Sequence, residues 1–331
     1  MNRTHKVIST TVAALLLACN STIDRAGIQG SGSPQAVFVR GPVTGFGSIF
    51  VNGVEYSTAD ASVMVDDQPG SEAELHAGQI VTIQGTVNPD GTTGTANQVS
   101  FSGDVQGPAT QIDSASNTFV VLGQTVHVTG STLYDDTIQP ADLTGLKPGT
   151  AVEVSGLTDA NGEIVATRVD LASMTTPLRV VGAVEDLDTA AHTFRVNALT
   201  VDYGSASVSS ATMLSSGALV AIQGVAAAGS SELIATRIDA APGLGASKDQ
   251  LVDVTGIITG VTSLLEFTLQ GQPVLIDLNT HLVLHGIPLG LNVEVDVKGA
   301  LTSSGALLAK KIEVKPRSGS LVKGLASQST E

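Results

Sequence analysis

The sequence predicts an all-β protein: four small antiparallel β-barrels in tandem, OB-like in strand count, behind a flexible N-terminal tether. Three observations carry this. Landmarks recur four times along the 331 residues: Gly41, Gly107, Gly182 and Gly256 lie 66, 75 and 74 residues apart. The segments between turns are short, rich in Val and Ile, and alternate with polar residues, as half-buried strands do. Asn-Gly and Asp-Gly pairs mark tight hairpins between them.

The first 18 residues read as an export signal. Arg3 and Lys6 precede an apolar run from Val7 to Ala18 that is too short to span a bilayer comfortably. Leu16-Leu17-Ala18-Cys19 resembles the lipobox of bacterial lipoproteins. That resemblance implies cleavage before Cys19 and a diacylglyceryl group on its sulfur. Asn20, in place of the Asp that tends to retain lipoproteins in the inner membrane, implies the outer membrane. Cys19 is the single cysteine, so the chain forms no internal disulfide. Residues 19–36, with Gly27, Gly30, Ser31, Gly32, Ser33 and Pro34, read as a flexible tether.

The repeats follow at residues 37–104, 105–176, 177–242 and 251–315, with a frayed tail over 316–331. Each begins with a Val (39, 105, 180, 254) shortly before the landmark glycine. Ile49, Phe119, Phe194 and Phe267 start the second strand; Gly53, Gly123 and Gly271 hold the next turn, with Ala198 in the third copy. Tyr56, Val126, Val201 and Val274 resume the third strand. Gly78, Gly149, Gly217 and Gly290 precede the fourth, which ends at Gly85, Gly156, Gly224 and Gly299, so that the fourth copy reads two residues longer. A last hairpin turns at Asp90-Gly91, Asn161-Gly162, Ala228-Gly229 and Ser304-Gly305. Copies one and two nearly abut and are expected to dock. The Pro242–Ser247 linker suggests a looser fourth copy that folds alone.

The runs GPVTGFGSIFVNGVEY, AGQIVTIQG, GPATQIDSASNTFVVLGQTVHV and ATRVDL resemble the bacterial family called domain of unknown function 5666. The resemblance extends over about residues 38–315 and implies exported, β-rich repeat proteins with no established reaction.

Chemistry-bearing motifs are sparse. Gly45-Phe46-Gly47 suggests a phosphate loop, but position 50 is Phe and β-type residues follow, so a hairpin is expected and no nucleotide. His281 and His285 share a face at i, i+4, yet no third ligand is evident, and no metal or cofactor is expected. Asp66-Asp67, Asp135-Asp136 and Asp186-x-Asp188 are acidic clusters. Asp159-Ala160-Asn161-Gly162-Glu163 has part of a calcium loop, but Leu157 stands where the first ligand belongs.

A net charge of −15 and 3% aromatics argue against a nucleic-acid partner, which would need a basic groove and stacking platforms. With no Trp, a sugar-cleaving cleft is poorly supplied with stacking surfaces, and no G-x-S-x-G elbow is present. Strands about half the 9–11 residues of a transmembrane barrel argue against that architecture. The expectation is a non-enzymatic, lipid-anchored envelope protein, a spacer or binding module, whose partners are the membrane and an envelope protein or polysaccharide. The alternative is a carbohydrate-binding or enzyme-accessory protein with its site at a cleft between repeats.

Overall fold

The computed structural model describes residues 32–316, apart from 174–175, 210–213, 228–231, 242, 244–245 and 248–249. Cys19 and the export signal lie outside the described residues.

Unit one contains β1 (Gln35–Gly45), β2 (Ile49–Val51), β3 (Val54–Ser57), β4 (Ser62–Val65), β5 (Gln68–Gly70), β6 (Ile80–Val87) and β7 (Thr93–Phe101). β1 pairs antiparallel with β2 and with β6, β2 with β3, and β6 with β7. β3 then pairs with β7 in parallel, which closes the barrel. The strand order around it is first, second, third, fifth, fourth and back to the first: a closed five-stranded barrel with one parallel seam among antiparallel pairs. β1 begins at Gln35, so the last two residues of the expected tether belong to the first barrel.

The same plan repeats. Unit two has β8 (Val105–Asp113), β9 (Thr118–Val121), β10 (Gln124–His127), β11 (Leu133–Tyr134), β12 (Ala151–Thr158) and β13 (Ile164–Leu171). In unit three the first strand is interrupted into β14 (Leu178–Ala183) and β15 (Glu185–Asp188). It is followed by β16 (Thr193–Val196), β17 (Leu199–Asp202), β18 (Ser207–Val208), β19 (Leu219–Ala226) and β20 (Glu232–Ala240). Unit four has β21 (Leu251–Ser263), β22 (Glu266–Leu269), β23 (Gln272–Leu275), β24 (His281–Val283), β25 (Glu294–Leu301) and β26 (Leu307–Val314). The parallel seams are β10 with β13, β17 with β20, and β23 with β26.

The repeating landmarks are barrel interior. Ile49, Val51, Val81, Ile83 and Val99 fill unit one, and Phe119, Val152, Val154 and Val169 fill unit two; each is fully buried. Burying such a side chain stabilises the fold by about 1.5–3 kcal/mol. The glycines closing the fourth strands have a steric reason. At Gly85, Gly156, Gly224 and Gly299 the register shifts by a β-bulge. An added Cβ there would stand 2.1–2.6 Å from a backbone oxygen across the ladder.

Three sequence expectations are corrected. The fourth copy has no insertion: Gly78, Gly149 and Gly217 donate their N–H to Val43, Ala109 and Val184, and the equivalent donor in unit four is Asn292, to Ile258. Asn292 takes φ 63, beside 89, 88 and 83 for the three glycines, because Asn tolerates the left-handed region. The first strands are also longer than expected, since β1 has 11 residues and β21 has 13. Val37, Val39 and Val43 of β1 and Val252, Val254 and Ile258 of β21 point into their barrels, the reverse of the outward apolar face of a membrane barrel. Finally, unit four is not independent. β1 pairs in parallel with β21, Val37–Arg40 against Leu251–Val254, and Phe38 is buried in the core of unit four.

Units two and three are likewise joined, antiparallel, at β8 and β14. Ile80, Leu157 and Ile257 form an apolar contact where units one, two and four meet. First and last units therefore touch, and the four barrels gather around their own first strands.

Candidate functional site

The geometry of the first strand explains what gathers at the centre. Val39, Val105, Val180 and Val254 face their barrel interiors, so their neighbours on either side face outward. Those neighbours are Phe38 and Arg40, Asp104 and Gln106, Arg179 and Val181, Asp253 and Thr255. In an isolated barrel they would meet water. Here Asp104, Gln106, Arg179, Asp253 and Thr255 are buried against other units.

Their partners cross unit boundaries. Arg40 Nη2 lies 3.8 Å from Asp104 Oδ1. Asp104 Oδ2 accepts the Gly156 N–H at 2.9 Å, and burial pushes its carboxyl above the usual range against the opposing pull of Arg40. Arg179 donates from Nε to the Gly103 carbonyl at 3.0 Å and from Nη1 to Asp67 at 3.4 Å. Asn52, in the turn between β2 and β3, donates to Asp253 Oδ1 at 3.1 Å. Burial also raises the Asp253 carboxyl, opposed by the Lys298 ammonium 2.5 Å away.

Between the units lies a cavity of about 450 Å³ with walls from all four. Arg40 and Ser102 come from unit one, and the Asp159–Gly162 hairpin tip from unit two. Arg179, Gly182 and Leu219 come from unit three, and the Leu269–Gln272 turn from unit four. Its size is that of a small-molecule pocket, with apolar wall and a few convergent polar groups. Among its described lining residues there is no histidine or cysteine.

A second junction holds two carboxyl groups. The β4–β5 hairpin turns on Asp66 and Asp67, both left-handed at φ 49 and 62. It delivers Asp66 to Glu153 of unit two. Burial, with Asp66 beside it, pushes the Glu153 carboxyl up to about 8, and Asp66 is raised as well. The two carboxyls are hydrogen-bonded to each other, and Glu153 Oε1 also accepts the Gly103 N–H at 3.1 Å.

The residues singled out from sequence lie elsewhere. Gly45 ends β1, Gly47 sits in the following turn at φ 115, and Asn52-Gly53 form a hairpin turn at φ 51 and 77. GFGSIFVNG is thus strand, turn, strand, turn. His281 is exposed on β24, while His285 sits in a turn with Nε2 3.4 Å from Glu313. Among the described residues no group of three His, Cys, Asp or Glu is placed to hold a metal. Asp159 Oδ1 accepts from the Asn161 and Glu163 amides at 2.8 and 2.9 Å, a hairpin tip. Asp135 and Asp188 likewise cap their own turns. Arg40, Asp104, Arg179 and Glu153 were missed from sequence. All four flank a repeating valine yet differ in chemistry from copy to copy, and that contrast was the available signal.

No curated protein matches the chain. The family described as Domain of unknown function (DUF5666) matches it four times, at residues 40–100, 106–170, 181–239 and 255–313. Each match falls on one barrel, and the protein belongs to this family as a four-copy member whose copies have diverged where they meet.

Proposed function

We propose that this is a non-enzymatic, lipid-anchored binding module of the bacterial cell envelope, holding a small ligand where its four barrels meet. The observation that carries the reading is the junction cavity, about 450 Å³ and walled by every unit. A string of independent spacers has no need of a first unit hydrogen-bonded to the last. The anchor rests on Leu16-Leu17-Ala18-Cys19, and outer-membrane placement on Asn20. Two acyl chains on Cys19 suffice for stable attachment. The inter-repeat cleft also serves the carbohydrate-binding alternative, although few aromatic side chains are available to stack on sugar rings.

Native mass spectrometry of protein extracted from envelopes tests the binding role: a mass in excess of the lipidated chain, released on unfolding, is the expected result. Cys19→Ala should lose metabolic labelling by palmitate and leave the membrane fraction. A variant that stays with membranes through a high-salt wash removes the lipoprotein part of the reading.

A further inference from the structure

We propose that the junction cavity is an oxyanion site: it takes a small molecule through a carboxylate or phosphate seated on Arg40, with Arg179 beside it. This deepens the binding-module reading above and rests on it.

The guanidinium of Arg40 is the starting point. Arg40 Nε is buried and has no hydrogen-bond partner among the described residues. A buried donor left unpaired is costly, so such groups are rare unless something else meets them. The nearest carboxylate does not. Asp104 Oδ1 stands 3.8 Å from Nη2, beyond hydrogen-bond length, and Asp104 Oδ2 is already engaged by the Gly156 amide. Nε and Nη2 form one edge of the guanidinium fork, the edge that binds two oxygens of an oxyanion side by side.

The surroundings add to this. Arg40 and Arg179 both line the cavity from different units; of the carboxyls on the same walls, Asp159 is engaged by its own hairpin amides, and Asp104 and Glu185 remain. Arg179 is held by the Gly103 carbonyl through Nε, so its guanidinium is oriented in advance. Asp104, whose carboxyl feels both arginines, is pushed toward its neutral form by burial, which weakens it as a counter-charge. The repeat supplies an internal comparison. The position of Arg40 is Gln106, Val181 and Thr255 in the other units, and that of Arg179 is Phe38, Asp104 and Asp253. Neither arginine is required by the barrel itself. Leu219, Val254 and Leu269 give the cavity an apolar wall for the remainder of the molecule.

The test uses the whole protein and three probes that share one skeleton: glucuronate, glucose 6-phosphate and neutral glucose. Side-chain NMR of arginine Nε–H groups reads Arg40 directly in the wild type. One of the two anionic probes should move that signal saturably and be bound at least about tenfold more tightly than glucose. Which of them does so separates carboxylate from phosphate. Arg40→Gln should weaken that binding by about tenfold or more, while Arg195→Gln, an exposed arginine of unit three, should not. If the variant does not fold, the wild-type signal still decides. Anions that leave the Arg40 signal unmoved, while glucose shifts backbone amides around the cavity, overturn the oxyanion site and leave the binding module standing. Cavity amides unmoved by all three overturn both.

Discussion

Glu153 shows how one side chain makes stability depend on pH. In the unfolded chain it ionises near 4.5; folded, beside Asp66 and away from water, it keeps its proton to about 8. Folding therefore takes up a proton between those values, and stability falls as pH rises through that window. Glu153→Gln keeps an acceptor for the Gly103 amide and gains a donor for Asp66. It should flatten the slope and leave the variant about 1–3 kcal/mol more stable than wild type at pH 9, read from urea unfolding at pH 5, 7 and 9. An unchanged slope would show that the pair does not hold the proton. The bulge glycines make a second case. At Gly85 a Cβ would stand 2.1 Å from the Thr95 carbonyl, so Gly85→Ala should cost about 1–3 kcal/mol. Gly91→Ala, left-handed at φ 70 but in open space, should cost about 1 kcal/mol. Equal losses in denaturant titrations would rule out the ladder contact as the cause. Turn glycines such as Gly53 were legible in the sequence because the Asn-Gly pair states the backbone requirement locally. The charge on Arg40 was visible too. Its burial was not, because an outward strand position beside a buried valine looks the same whether water or another barrel covers it.

Strands were readable wherever the alternation was intact, and the fourth copy shows where that reading slipped. By letter alone, Gly290 corresponds to Gly78. The backbone follows the conformation, which Asn292 supplies at φ 63. Counted from Asn292, the fourth strand of unit four closes at Gly299 on the same spacing as the other three. Asn292 has a second task, since its Oδ1 accepts the Ala160 N–H of unit two at 2.9 Å. The two roles can be separated. Asn292→Gly should keep the turn and lose only that bond, about 0.5–1.5 kcal/mol. Asn292→Val should lose both and cost about 1–3 kcal/mol more for forcing a β-branched residue to positive φ. Thermal unfolding of the two variants checks the order, and a Val variant no worse than Gly would contradict the assignment. The long first strands also make sense as elements: one half of β21 pairs with β22 and closes its barrel, while the other half pairs with β1 of another unit. Extra length is what a strand needs to serve two barrels.

Arrangement was the least legible level. The linker between units three and four contains Pro242, Gly243 and Gly245, and from composition it separates the fourth unit. Phe38 decides otherwise: a unit-one side chain 2% exposed and packed with Val252, Val297 and Ile312 of unit four. Phe38→Ala should destabilise by about 3–5 kcal/mol. Its effect should appear at a distance in sequence, as faster hydrogen exchange at β21 amides as well as at β1. Protection of β21 unchanged by the substitution would show that the two barrels open separately.

Pairing the unit-one barrel with the unit-four barrel also uses up the strand edges through which barrels join. Solenoids lengthen by duplication because each end presents the surface the next repeat needs. Here the outer edge of β1 is occupied by β21 and that of β8 by β14. A fifth barrel joined to either end would find no first-strand edge to take and no place around the cavity. A chain of three would leave one edge bare and exposed to pairing with another molecule. The four copies thus answer one another in pairs, each first strand taking the edge of another copy's first strand.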